Sequence, residues 1–163
     1  MPVTHDILRS YRAPGEVFSD RLAEGQREDR VFINYIVASL LIFAAFAPWV
    51  ARRAHFDPDT SLEAELYWLG LFWVLIMPFV YYVLAAVTRL VAGVLGGQGT
   101  FHGARVALAL ALLAAAPLFL LVGLTAGLVG PGPALNLTQA AAFGGFFAFW
   151  GLFLWRNERG RAA

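Results

Sequence analysis

Four long stretches of this chain carry no charged side chain: Val31 to Val50, Leu66 to Val87, Val106 to Val129 and Leu135 to Trp155. A hydrocarbon layer about 30 Å thick is crossed by roughly 20 apolar helical residues. Within lipid the backbone must satisfy its own hydrogen bonds, which a helix does. Each stretch is closed by charge or by Gly/Pro punctuation: Arg30 and Arg52, Glu65 and Arg89, Arg105 and the turn Gly130-Pro131-Gly132-Pro133, then that turn and Arg156. The fold class that follows is an all-α integral membrane protein with four transmembrane helices, over about 31–50, 66–90, 105–129 and 135–155. A cytoplasmic amphipathic helical segment (1–30) precedes them and a short tail (157–163) follows.

Composition excludes several function classes. A net charge of +1 offers no clustered basic face for nucleic acid. Cysteine is absent, which removes disulfides, thiolate metal sites, iron–sulfur clusters and covalent haem attachment. All twelve basic residues are arginine, so neither a P-loop lysine nor Schiff-base chemistry is available. The Arg-only, Ala- and Gly-rich composition fits a GC-rich bacterial genome. The first thirty residues lack the apolar centre of a cleaved signal peptide, so the first span is expected to serve as a retained anchor.

Arginine also sets the orientation, because positively charged loops stay in the cytoplasm. Ten arginines lie in the N-terminal tail, the second loop (Thr88 to Arg105) and the C-terminal tail, against Arg52 and Arg53 in the first loop. Both termini are therefore expected on the cytoplasmic side of a bacterial inner membrane. Trp49, Tyr67 and Trp68 then fall near the outer interface and Phe32, Tyr35, Trp150 and Trp155 toward the inner one, as interfacial aromatics do.

The segment before Val31 holds six acids and five arginines. On a helical wheel Val17, Phe18 and Leu22 share an arc with Gly25, while Asp20, Glu24, Arg27 and Glu28 lie mainly away from it. Pro14 suits the first turn of that helix. Upstream, Val3, Ile7, Leu8 and Tyr11 form a shorter stripe. Val17, Phe18 and Leu22 are thus the expected interfacial docking residues, on the inner membrane surface or against the cytoplasmic ends of the bundle.

Small residues four apart allow close helix approach in lipid. Gly123 and Gly127 in the third span, and Ala140, Gly144 and Ala148 in the fourth with Ala141 and Gly145 beside them, are the expected helix-packing residues. Joined by a short Gly-Pro-Gly-Pro turn, these spans should form a tight antiparallel hairpin that Gly144→Leu weakens; the competing use of the small face is docking of another copy or a partner subunit. Pro78 and Pro117 should kink the second and third spans. Arg89 is expected to snorkel to the inner headgroups.

Chemistry-bearing residues are scarce inside the spans. Transporters ordinarily hold a buried ionisable group, and the polar groups within reach of the bilayer are Asn34, Tyr81 and Tyr82, which suit interhelical hydrogen bonds. His5, His55 and His102 lie far apart, so no metal or haem is expected, His102 being the first to test. The loop Gly96-Gly97-Gln98-Gly99-Thr100-Phe101-His102-Gly103 lacks both the Lys-Ser/Thr of a Walker motif and the spacing of a dinucleotide fingerprint. Its expected role is to end one helix and turn tightly into the next. Asn136-Leu137-Thr138 matches a glycosylation acceptor but abuts the membrane in a bacterial-looking chain.

Ala13-Pro14 with Phe18 four residues after the proline, the turn "GGQGTF" and "AAAP" at Ala114 to Pro117 together resemble bacterial members of the Yip family, the Ypt-interacting membrane proteins. The resemblance runs from about Tyr11 to Gly130. It implies a small polytopic protein without catalytic residues or cofactor, of a kind that in eukaryotes binds Rab-type GTPases and organises membranes. That family typically has five spans where this chain has four, and a bacterial cell lacks the vesicle traffic in which the GTPase partners act. The leading reading is a non-enzymatic inner-membrane protein whose partners are membrane lipids and other copies of itself. The alternative is an accessory subunit of a larger respiratory or photosynthetic membrane-protein complex. A small transporter is a third reading, weakened by the absence of intramembrane charge and of an inverted repeat.

Overall fold

The computed structural model describes residues 3–57, 59 and 61–159, with side chains from residue 7; the side chain of His5 and residues 160–163 of the tail lie outside the described residues. The order is α1 (Val3–Arg12), α2 (Pro14–Ala23), α3 (Glu28–Phe56), α4 (Leu62–Gly70), a π-helical stretch (Leu71–Ile76), α5 (Met77–Val94), α6 (Phe101–Leu128) and α7 (Pro133–Arg159). Since α4, the π stretch and α5 run on as one helix, Leu62–Val94, four helices are long and apolar enough to cross a membrane. The first, second and fourth each enclose one uncharged stretch and continue past it into charged residues, and the third covers Val106 to Leu128 with Arg105 before it. At about 1.5 Å per residue the 28 residues of α6 extend about 42 Å, beyond a hydrocarbon core of about 30 Å.

Local sequence explains the breaks. Pro14 opens α2, where its missing N–H is not needed. Gly96 ends α5 at φ 88°, with Gly97 N–H donating to the Ala92 carbonyl at 2.8 Å and Gly96 N–H to that of Gly93 at 3.0 Å, the paired bonds of a Schellman cap. Thr100 caps α6 by accepting from Gly103 N–H at 2.9 Å. Pro78 falls at the start of α5, and the helix accommodates it by widening just before: Met77 N–H donates back to Phe72 rather than to the residue four before it. Pro48 lies inside α3, a third intramembrane proline beside the two singled out from sequence.

The centre of the bundle is α6. From His102 to Ala116 every residue but Arg105 is buried, because α6 is enclosed by α3 and α7, and by α5, α1 and α2 at lesser contact. Its Ala- and Leu-rich inner half has no polar face, as a helix enclosed on all sides requires. The α4–α5 span lies at the periphery and shows Phe72, Leu75, Phe79 and Val83 outward, the expected surface toward lipid chains.

Helix contacts differ in partner from those expected. Gly123 and Gly127 meet α3, not α7: a Cβ at Gly123 would overlap the Ala45 carbonyl oxygen, and one at Gly127 would come within 2.5 Å of Pro48 Cβ. The hairpin contact assigned to Ala140, Gly144 and Ala148 is made instead by Ala142, fully buried, and Gly145, where a Cβ would come 2.7 Å from Leu118. Ala140, Gly144 and Ala148 are exposed, and nothing lies within 4 Å of a Cβ at Gly144. The helix carries small residues on adjacent faces, and bulky Phe146 and Phe149, packed against the core, select the one that turns inward.

Candidate functional site at the arginine-rich end

Most of the ion pairs among the described residues collect at one end of the bundle, where α2, the α2–α3 corner, the α5–α6 loop, the start of α6 and the end of α7 meet; at the other end Arg53 pairs with Glu65 at 3.2 Å. Two networks hold it. In the first, Glu28 Oε1 accepts from His102 Nδ1 at 2.7 Å and pairs with Arg105 Nη2 at 2.9 Å, joining the first turns of α3 and α6. A carboxylate only accepts, so in this contact His102 donates through Nδ1. Tyr35 Oη donates to the Arg105 carbonyl at 3.0 Å, and the Arg105 guanidinium lies 5.8 Å from the Tyr82 ring centroid.

The second network ties the glycine loop to α7. Arg89 donates through Nε to the Gly99 carbonyl at 2.8 Å and lies 3.7 Å from Glu158, whose Oε2 accepts from Gly99 N–H at 2.9 Å. Asn157, buried, donates to the Thr100 carbonyl at 3.2 Å and accepts from Thr100 N–H at 3.4 Å. Arg89 thus turns into the protein rather than snorkelling outward. A Cβ at Gly99 or Gly103 would overlap Asn157, so these glycines let α7 approach the loop, a role beyond the tight turn read from sequence.

The N-terminal helices pack onto the same end. Val17 and Phe18 are buried, with Phe18 stacked on Phe153 of α7 at 5.8 Å; Leu22 is half-buried against the core. Tyr11 sits edge-on to Phe149 at 5.2 Å and donates to the Ala114 carbonyl at 2.7 Å. The bond falls one residue from the Leu113 carbonyl, which Pro117 leaves without its helical donor. Arg9 ties α1 to α2 by its 3.1 Å pair with Asp20. At the α2–α3 corner, burial works against ionisation of Glu24, but its bonds and charge contacts with Arg21 and Arg30 outweigh that and hold its carboxyl below the ordinary value.

Between these parts lies a cleft of about 250 Å³ lined by Leu22, Gln26, Gln98, His102, Arg156 and Asn157 among others. A separate apolar cavity of about 260 Å³ lies between α3, α6 and α7 toward the opposite end, walled by Phe46, Trp49, Phe119 and Gly123. Among the described residues no group of three His, Cys, Asp or Glu side chains is placed to hold a metal. His102, the histidine to test first, serves instead as a hydrogen-bond partner of Glu28. Sequence reasoning missed Glu28, Arg105, Asn157 and Glu158 as a set; the available signal was that each lies within one turn of a span boundary, at the same end.

A family model described as the Yip1 domain matches residues 8–157. The match continues past Gly130 to take in nearly all of α7. No curated protein and no solved structure matches the chain.

Proposed function

The chain belongs to the Yip1 domain family, a membrane protein of that kind, and on this premise we propose that it is a non-enzymatic scaffold of the bacterial inner membrane. Both termini face the cytoplasm, and the arginine-rich end is the working end, associating with lipid and with other copies of the chain. The observation that carries this reading is how the ionisable groups are used. Glu28, His102, Arg105, Arg89 and Glu158 bind one another and loop backbone, locking α3, α6, α7 and the glycine loop around an open cleft. None of them converges with a nucleophile on a site for a reacting atom, as catalysis would need. The arginine distribution supports the orientation.

A second reading, an accessory subunit of a larger membrane complex, is favoured by one feature. Ala140, Gly144 and Ala148 of α7 face outward beside exposed Phe143 and Phe147, a surface another helix could approach closely. A photo-crosslinking residue placed at Ser19 or at Phe143 in native membranes separates the two. The scaffold reading expects adducts with phospholipid and with further copies of the chain; a single constant adduct with a different protein would replace it with the accessory-subunit reading.

A further inference from the structure

The cleft at the arginine-rich end has an unbalanced charge. Six arginines of that end pair with a carboxylate: Arg21 and Arg30 with Glu24, Arg27 with Asp29, Arg9 with Asp20, Arg89 with Glu158 and Arg105 with Glu28; Arg159 instead lies over Trp155, and Arg12 is exposed outside the cleft. Arg156 lines the cleft and has no carboxylate or carbonyl partner among the described residues. The side chain is exposed, and its guanidinium rests against Gly15 of α2, where a Cβ would overlap it. No carboxylate lines the cleft; the other polar groups there include the side-chain amides of Gln26 and Gln98 and the ring of His102. With His102 Nδ1 donating to Glu28, Nε2 of the neutral ring is an acceptor, so the side-chain donors left to an anion beside Arg156 are the amides of Gln26 and Gln98.

Depth identifies the occupant. The residue before Arg156 is Trp155, half exposed, with the Arg159 guanidinium 4.3 Å from its ring centroid. A tryptophan and arginine together at the end of a span mark the headgroup level. The cleft also has an apolar wall at Leu22. A monoanionic group with several acceptor oxygens, joined to an apolar body at that depth, matches one guanidinium beside the amide donors of Gln26 and Gln98, since charge-assisted bonds to phosphate are the strong ones.

We infer that this cleft holds the phosphate of an anionic phospholipid from the adjoining leaflet, with Arg156 as its principal ligand. The inference rests on the reading of this end as the working end and gives it a substrate class. The full-length protein in neutral detergent is titrated with phosphatidylglycerol or phosphatidylcholine and weighed by native mass spectrometry. Wild type should retain phosphatidylglycerol preferentially, and Arg156→Gln should weaken that binding roughly tenfold, as loss of one charge-assisted contact does. Arg156→Lys should fall between, and Gln98→Glu, which puts a carboxylate into the cleft, should reproduce the loss. Arg12→Gln, removing an exposed arginine that lies outside the cleft, should leave binding unchanged. Unaltered affinity in Arg156→Gln, an equal loss in Arg12→Gln, or displacement of the lipid by inorganic phosphate at similar concentration would overturn the inference. The oligomeric mass in the same spectra reports on the scaffold reading separately, so either can fail without the other.

Discussion

Replacing Gly123 by alanine adds one methyl group at the tightest helix crossing in the molecule. The new Cβ would stand 2.5 Å from the Ala45 carbonyl carbon and 3.0 Å from its Cα, and would overlap the carbonyl oxygen. Ordinary carbon contacts need about 3.5 Å, so α3 and α6 must part by about an ångström, and helical backbone cannot yield as a side-chain tip can. Overpacking of this kind costs about 1–3 kcal/mol, offset by at most about 1 kcal/mol of helix propensity, for a net loss of about 1–2 kcal/mol. The same substitution at Gly144 meets nothing within 4 Å and should be neutral or gain up to about 1 kcal/mol. Two identical changes should thus differ by about 1–3 kcal/mol, roughly 5- to 150-fold in the unfolding equilibrium. Reversible unfolding in mixed detergent micelles, followed by tryptophan fluorescence, measures both. Equal midpoints for the two variants, or the larger loss at Gly144, would refute the assignment of the α3–α6 contact.

Phe18→Asp should release α1 and α2 from the bundle at a cost above about 3 kcal/mol, because it buries an unpaired carboxylate against Phe153; tryptic cleavage at Arg21 and Arg27 in vesicles should speed up, and an unchanged rate would contradict the docked arrangement. Tyr11→Phe should cost about 1 kcal/mol in the same unfolding assay through loss of the bond to the Ala114 carbonyl, with no change in overall helicity. Glu158→Gln should cost about 1–3 kcal/mol by leaving Arg89, whose side chain is 16% exposed, without its countercharge, and should raise hydrogen exchange at Gly99. Glu24 has a lowered folded pKa, so its contribution is fully present above its ordinary value of 4.5 and is lost as pH falls through the lower folded value; an NMR titration of its carboxyl carbon should show that depression, and Arg21→Gln with Arg30→Gln should abolish it.

The spans were legible because an uncharged run long enough to cross a bilayer admits few other structures. Val31 to Val50 needs no tertiary information to be read as a span. Which residues within a span touch was not legible. The fourth span places small residues at 140, 144 and 148 and again at 141 and 145, and hydropathy cannot say which face turns inward when lipid is as apolar as the protein interior. Aromatic packing of Phe146, Phe149 and Phe153 on the neighbouring helices made that choice. The polar end was illegible for a related reason. Glu28 and His102 are separated by 74 residues, and each alone reads as a solvated residue at a span boundary. Their 2.7 Å contact exists because α3 and α6 run parallel with their starts at one level, an arrangement set by helix order. Arg89 departs from the snorkelling that an arginine at a span end favours, because the carbonyls of Gly97 and Gly99 offer a nearer partner than the headgroups.

The account depends most on the chain working as a self-contained membrane scaffold. The most direct measurement is native mass spectrometry of the tagged protein, extracted from its own membrane in mild detergent together with whatever co-purifies. The account predicts masses of the chain alone or in whole-number multiples, carrying phospholipid. A stoichiometric particle in which every copy is joined to different membrane proteins would contradict it.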